Sequence, residues 1–263
     1  VKSILAALTS ALILFASFAL QAEEQAVRAD SSLERALERR FGFNSTMIMT
    51  LVINTGGMTQ TKRMKIRSVW DGDRLCTYAE MIQPAEDRGR KFLSIRGGDG
   101  FSFQKVYLPA FRMVRRISLE QKRDPFEGST LNYEDVETRS GGEYKIVSTG
   151  KEIVEGEEAS KVTVTPEYKS VYTKTEYLIA KDGAILLLRL FGPSGNGEKL
   201  VKTIEAPRKN LEKHVEFFVP TLLLVTDLLT GNKTEVIVSE LKINPDGLVV
   251  EQVCGEAQLT VSR

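Results

Sequence analysis

Side chains that carry chemistry are scarce in this sequence. Its 263 residues include one histidine, His214, one tryptophan, Trp70, and two cysteines, Cys76 and Cys254. A lone histidine excludes multi-histidine metal sites and leaves little for a His-based relay. The cysteines stand far apart and lack metal-ligand spacing. There is no G-x-S-x-G elbow, and "GGDG" at 97–100 lacks the Lys-Ser/Thr of a phosphate loop. Carboxylate pairs such as Glu134-Asp135 and Glu157-Glu158 are adjacent in sequence and unremarkable. These absences point away from an enzyme and call for neither cofactor nor metal. A charge excess is missing too. Lysine and arginine total 36 against 35 acidic residues, which argues against broad nucleic-acid binding.

What is present begins with a leader-like segment. "VKSILAALTSALILFASFALQAEEQ" runs from one basic residue, Lys2, through an apolar stretch to Ala22 and then Glu23-Glu24. That is the order of a secretory signal peptide, cleaved near Ala22, rather than of a membrane anchor. Residues 1–22 are thus expected to be removed, and 23–263 to form one exported domain. In an oxidising compartment Cys76 and Cys254 can pair. Two buried free thiols fit the apolar stretches around them equally well.

The rest of the chain reads as one helix followed by strands. In "VRADSSLERALERRF" (27–41), Leu33, Leu37 and Phe41 recur at spacing four beside Ala36, after a cap at Asp30 or Ser31. From residue 43 the apolar period becomes two. "KRMKIRSVW" and "RLCTYAEM" alternate cleanly, and further runs follow as far as 233–243, including one at 215–226. Glycine-rich gaps such as Gly56-Gly57 separate them and suit antiparallel hairpins. The expected fold is mainly β (α+β): a strongly curved antiparallel half-barrel of about eleven or twelve strands. The N-terminal helix and a short plug helix near Ser129–Asp135 cover its concave face. So large a twisted sheet curls, and sparse cover leaves an apolar cavity suited to hydrophobic ligands.

One stretch combines grease with charge. "KVYLPAFRMVRRISLEQKRDPFEGSTLNYEDVE" spans residues 105–137. From Gln104 to Arg123 it carries six basic side chains against one acidic, Glu120. Charges are costly to bury, so this region reads as a surface for recognition.

With "PAEDRGRKFL" (84–93), "VYLPAFRMVRRI" (106–117), "FEGSTLNYEDV" (126–136) and the later "VPTLLLVTDLLTGNKTEVIVSELKIN" (219–244), the chain resembles the outer-membrane lipoprotein-sorting family of LolA/LolB-like fold. The resemblance implies a soluble, monomeric periplasmic carrier or chaperone for lipidated protein or lipid. Its partners would be acyl chains, an inner-membrane transporter and an outer-membrane acceptor. A lipid- or stress-sensing regulatory module on the same fold is the alternative. On this reading Tyr107 and Leu108 end a strand at the cavity rim, and 110–126 forms a lip. Phe111, Met113, Phe126, Leu131 and Tyr133 contact acyl chains, with Trp70 and Phe92 as further wall candidates. Arg112, Arg115, Arg116, Lys122 and Arg123 ring the entrance for head groups or a partner's acidic surface. Asp87, Arg88 and Gly89 form a turn from which Arg88 can bridge to the plug.

Overall fold

A computed structural model describes residues 33–34, 36–37, 44–97, 102–138, 141–195, 197–214 and 217–260. The leader-like segment 1–22 and most of 27–41, Phe41 included, lie outside the described residues.

The period-two stretches are strands. In chain order they are β1 (Ser45–Thr55), β2 (Met58–Asp71), β3 (Arg74–Gln83), β4 (Lys91–Arg96), β5 (Ser102–Leu108), β6 (Met113–Arg116), β7 (Tyr144–Val154) and β8 (Glu157–Pro166). There follow β9 (Lys174–Ala180), β10 (Ile185–Ser194), β11 (Gly197–Glu205), β12 (Leu211–His214), β13 (Phe217–Pro220), β14 (Leu222–Asp227) and β15 (Lys233–Ile243). Thr55 pairs with Met58, so Gly56 and Gly57 form a two-residue hairpin loop. Their φ values of 57° and 82° are the positive angles a tight hairpin needs and that glycine adopts without steric cost.

Thirteen strands form one open, curved antiparallel sheet in the order β6-β5-β4-β3-β2-β1-β15-β14-β11-β10-β9-β8-β7. β12 and β13 pair as a separate ribbon. Three details raise the total to fifteen strands, above the sequence expectation. The 215–226 run is divided at Pro220-Thr221 into β13 and β14, the basic lip contributes β6, and Leu211–His214 adds β12.

This order forces the plug. β6 and β7 are consecutive in sequence but form opposite edges of the sheet. Twelve strand gaps of about 4.8 Å make an arc of roughly 58 Å. The connecting segment 117–143 must cross it, and at about 3.3 Å per residue it reaches at most ~90 Å. It crosses on the inner face as an irregular plug. The expected plug helix is absent: a 3₁₀ turn at Phe126–Gly128 leads into successive turns. Glu127 there has φ 52°, which a helix cannot contain.

Both faces of β2–β5 are covered. On the inner face Met64, Ile66, Ala79, Phe92 and Val106 join Phe126, Leu131 and Tyr133 of the plug in the main core. On the outer face Val69, Tyr78, Leu93 and Ile95 pack against two short C-terminal helices, α1 (Glu251–Cys254) and α2 (Ala257–Thr260). Cys76 and Cys254 are joined as a disulfide across 178 positions, settling the question the sequence left open. A cross-link over so long a loop typically adds about 2–4 kcal/mol by restricting the unfolded chain. Near the other edge, Leu33, Ala36 and Leu37 are helical and buried against Val162, Val164, Tyr177 and Ile179.

Candidate functional site

The inner face and the plug do not meet everywhere. Between them lies a cavity of about 290 Å³. Much of its wall is apolar, with Met64, Ile66, Phe92, Leu131, Leu190 and Val236 among its lining residues. In β2 and β3 the parity of the strands selects these side chains: Met64, Ile66, Leu75 and Ala79 face in, while Cys76 and Tyr78 face out. The remainder of the wall is polar, including Tyr144, Tyr168, Ser170 and Tyr172 and the plug carboxylates Glu134, Asp135 and Glu137.

Four acidic side chains fasten the plug to the sheet. Glu127 accepts from Arg90 Nη1 at 2.8 Å, and Arg90 also meets Asp87 at 3.2 Å. Glu134 accepts from Tyr168 at 3.2 Å, from the Val171 backbone N–H at 2.8 Å and from the Ser170 hydroxyl. Asp135 accepts from Lys202 Nζ at 2.6 Å, Tyr172 Oη at 2.8 Å and the Asn132 N–H at 2.7 Å. Glu137 pairs with Lys122 at 2.5 Å and accepts from Ser102 at 2.7 Å. The fully buried Gln104 donates through Nε2 to the Tyr133 carbonyl at 2.8 Å. Burying a carboxylate is costly unless it is paired and hydrogen-bonded; all four are buried or nearly so, Glu134, Asp135 and Glu137 each accept several bonds, and Glu127 is paired with Arg90.

Rings supply the apolar part of the seal. Phe126 meets Phe92 edge-on with centroids 5.2 Å apart, and Tyr133 meets Phe126 at 5.6 Å, geometry favoured by the ring quadrupoles. Burial, and then the nearby Glu127 carboxylate, push the Tyr133 phenol up to about 12. Burial and then Asp135 raise that of Tyr172 likewise.

The residues nominated from sequence separate into distinct places. Phe92, Phe126 and Leu131 line the cavity. Tyr133 belongs to the adjoining core, and Leu108 packs against it half-buried. Tyr107 is on the wrong face for the cavity: one residue from Leu108, it points outward and packs beside Phe103 near the C-terminal helices. Trp70 is half-exposed and outside the lining. Phe111 and Met113 are 74% and 46% exposed, so they do not reach the cavity either. Arg112 adopts a left-handed φ of 48°, turning the chain back along β5 as the edge strand β6, all four of whose residues are exposed. Arg112, Arg115, Arg116 and Arg123 are exposed with it. Lys122 departs from this group, for it is buried against Glu137. Arg88 is exposed, and Arg90 makes the bridge to the plug in its place. Glu120, the one acidic residue between Gln104 and Arg123, meets Lys169.

Sequence reasoning passed over Glu134 and Asp135 as ordinary. The available signal was four carboxylates at 127, 134, 135 and 137 within a segment that also carries Phe126, Leu131 and Tyr133. His214, on β12, stacks on Phe217 at 5.7 Å between centroids and lies 3.7 Å from Glu212. Among the described residues no group of three or more His, Cys, Asp or Glu is arranged to hold a metal ion.

A family model described as "Uncharacterized protein" matches residues 76–247. Among solved structures, the chain is similar to a domain named as an outer membrane lipoprotein-sorting protein from Vibrio parahaemolyticus. The two are 26% identical with a TM-score of 0.79, over 89% of this chain and 100% of that one. It is similar to a DUF1329 family protein from Desulfovibrio piger at 25% identity and TM-score 0.79, over 89% and 98% of the two chains. A LolA superfamily protein from Nitrosomonas europaea shares the fold at 20% identity and TM-score 0.65, over 86% and 99%. No curated protein matches the chain.

Proposed function

We propose that this chain, which belongs to the uncharacterized family matched over residues 76–247 and has the fold of the outer-membrane lipoprotein-sorting proteins, is a periplasmic carrier for acyl chains. The cargo is a lipid or a lipidated protein, taken from an inner-membrane transporter and passed to an outer-membrane acceptor. The cavity of about 290 Å³ between sheet and plug carries this reading. Its size is near the lower end of the range of roughly 300–1,000 Å³ common for ligand pockets. A buried methylene stabilises by about 0.8 kcal/mol, so ten of them supply about 8 kcal/mol, the equivalent of a micromolar Kd before ordering costs. Such an interaction needs no catalytic group, in keeping with a lone histidine stacked on a ring.

Two further observations support the setting. The leader-like order of residues 1–22 fits export, and a formed Cys76–Cys254 disulfide fits an oxidising compartment. The exposed edge at β6, with Phe111, Met113, Arg112, Arg115 and Arg116, has the composition for docking on a membrane with anionic head groups.

Native mass spectrometry of the protein isolated from its own periplasm tests the cargo directly. Acyl-bearing species should remain bound, and Leu131→Glu, which puts a charge on the cavity wall, should strip them. A protein that arrives empty, with Leu131→Glu indistinguishable from it, refutes the proposal.

A further inference from the structure

The main cavity has a smaller neighbour. A second cavity of about 40 Å³ is lined by the β12–β13 ribbon and the sheet. Among the described residues four line both cavities: Leu188, Ile204 and Leu223 from β10, β11 and β14, and Phe217 from the ribbon. The three sheet residues form a common floor, and Phe217 is the shared residue opposite it.

Strand parity makes the ribbon a divider. Val219, like Phe217, lines the main cavity, whereas Phe218 and Pro220 line the second alone. The helical cover divides in the same way, with Leu37 on the first and Ala36 on the second. Phe217 is held in place: it is 4% exposed, and its ring stacks on His214. The base of the ribbon is tied as well, for the Thr221 N–H and hydroxyl both donate to the Asn210 carbonyl, at 2.8 and 3.0 Å.

Resting on the carrier reading above, we infer that the methyl end of the bound acyl chain stops against Phe217, and that this ring sets the longest chain the main cavity accepts. The boundary that Phe217 forms with Leu188, Ile204, Leu223 and Val219 is wholly apolar. A polar head placed there would lose its hydrogen bonds to water without replacement, so an amphiphile points its tail at the ribbon. Each methylene housed in the cavity raises affinity roughly fourfold. One that overlaps the ring gains nothing, because a packed interior resists insertion. Affinity therefore climbs with chain length and breaks where the methyl group meets Phe217. Removing the ring joins the two cavities and moves the break to longer chains.

Competition read by native mass spectrometry tests this. The full chain is incubated with an equimolar mixture of saturated fatty acids of even length, from about 10 to 20 carbons, each below its aggregation threshold. The bound species of the wild type should peak at one length. In Phe217→Ala the species two carbons longer should gain at least about tenfold relative to that peak, two newly housed methylenes being equivalent to about sixteenfold. Phe217→Leu, a milder truncation, should shift the distribution the same way and serves if the alanine variant fails to fold. Phe218→Ala deletes the same ring from the opposite face of the ribbon and should leave the distribution unchanged. An unshifted distribution in the Phe217 variants, or an equal shift in Phe218→Ala, overturns the inference while leaving the carrier intact. A wild type that retains no chain of any length overturns both.

Discussion

Replacing Lys202 by methionine isolates what the buried charges do for the plug. Methionine keeps most of the side-chain volume and removes the cation. Lys202 and Asp135 lie 2.6 Å apart with side chains only 5% and 2% exposed. The orphaned carboxylate would keep two neutral donors, Tyr172 and the Asn132 N–H, and at 2% exposure water could not replace the third. Breaking a buried pair from one side typically costs about 3–5 kcal/mol. In a chain of this size that is a fall in Tm of roughly 6–20 °C, at about 2–4 °C per kcal/mol. Urea unfolding followed by circular dichroism measures the loss, with Lys151→Met as the control. Lys151 and Glu158 are 3.0 Å apart but 71% and 40% exposed, where solvent screens an ion pair and its loss costs little. The double change Lys202→Met with Asp135→Asn should recover part of the loss, since the neutral amide still accepts from its remaining donors. If Lys202→Met costs no more than Lys151→Met, the plug is not held by its charges and the reasoning fails.

Two further outcomes are expected. Hydrogen bonding from Arg189, at 2.5 Å, and then its charge depress the Glu152 carboxyl below the ordinary carboxylate range. A depressed folded-state value contributes stability above the unfolded value of about 4.3, lost as pH falls through the lower folded value. The stability gap between wild type and Arg189→Gln should therefore be full at neutral pH and close in acid, and a gap that widens in acid would contradict the pairing. At the sheet edge, Arg115→Glu with Arg116→Glu should abolish flotation with vesicles containing anionic phospholipid at low salt, at about 1 kcal/mol per basic residue. Unchanged flotation would mark these arginines as solvated surface.

The curved sheet was legible because its strands alternate, and its hairpins because glycine pairs such as Gly56-Gly57 punctuate them. Which parity faced inward was less accessible. In β2–β5 the plug covers one face and the C-terminal helices the other, so Phe92 and Leu93, or Leu75 and Cys76, are all apolar positions with burial to offer. Tyr107 and Leu108 could not be told apart on that basis. Phe111 and Met113 suggested ligand contacts because large apolar residues normally leave water, yet both sit at an edge with no further strand beyond them among the described residues. Lys122 looked like its arginine neighbours. Its burial depends on Glu137, and that of Asp135 on Lys202, 67 positions away, a pairing no local pattern carries.

The persistence of an unfilled volume under the plug has a physical basis in how the plug is attached. Apolar packing is non-directional and draws surfaces together until the space closes. Had positions 134 and 135 been leucines, little would have stopped the plug settling onto the inner face. Charge-assisted hydrogen bonds are directional and have a preferred length. Glu127, Glu134, Asp135 and Glu137 meet partners on four separate parts of the sheet side, at Arg90, Ser170–Val171, Lys202 and Ser102. Contacts at those points fix the height of the plug as well as its position. The rings of Phe92, Phe126 and Tyr133 can then seal one side while the other remains open to an occupant. Carboxylates that looked incidental in the sequence therefore set the shape of the cavity.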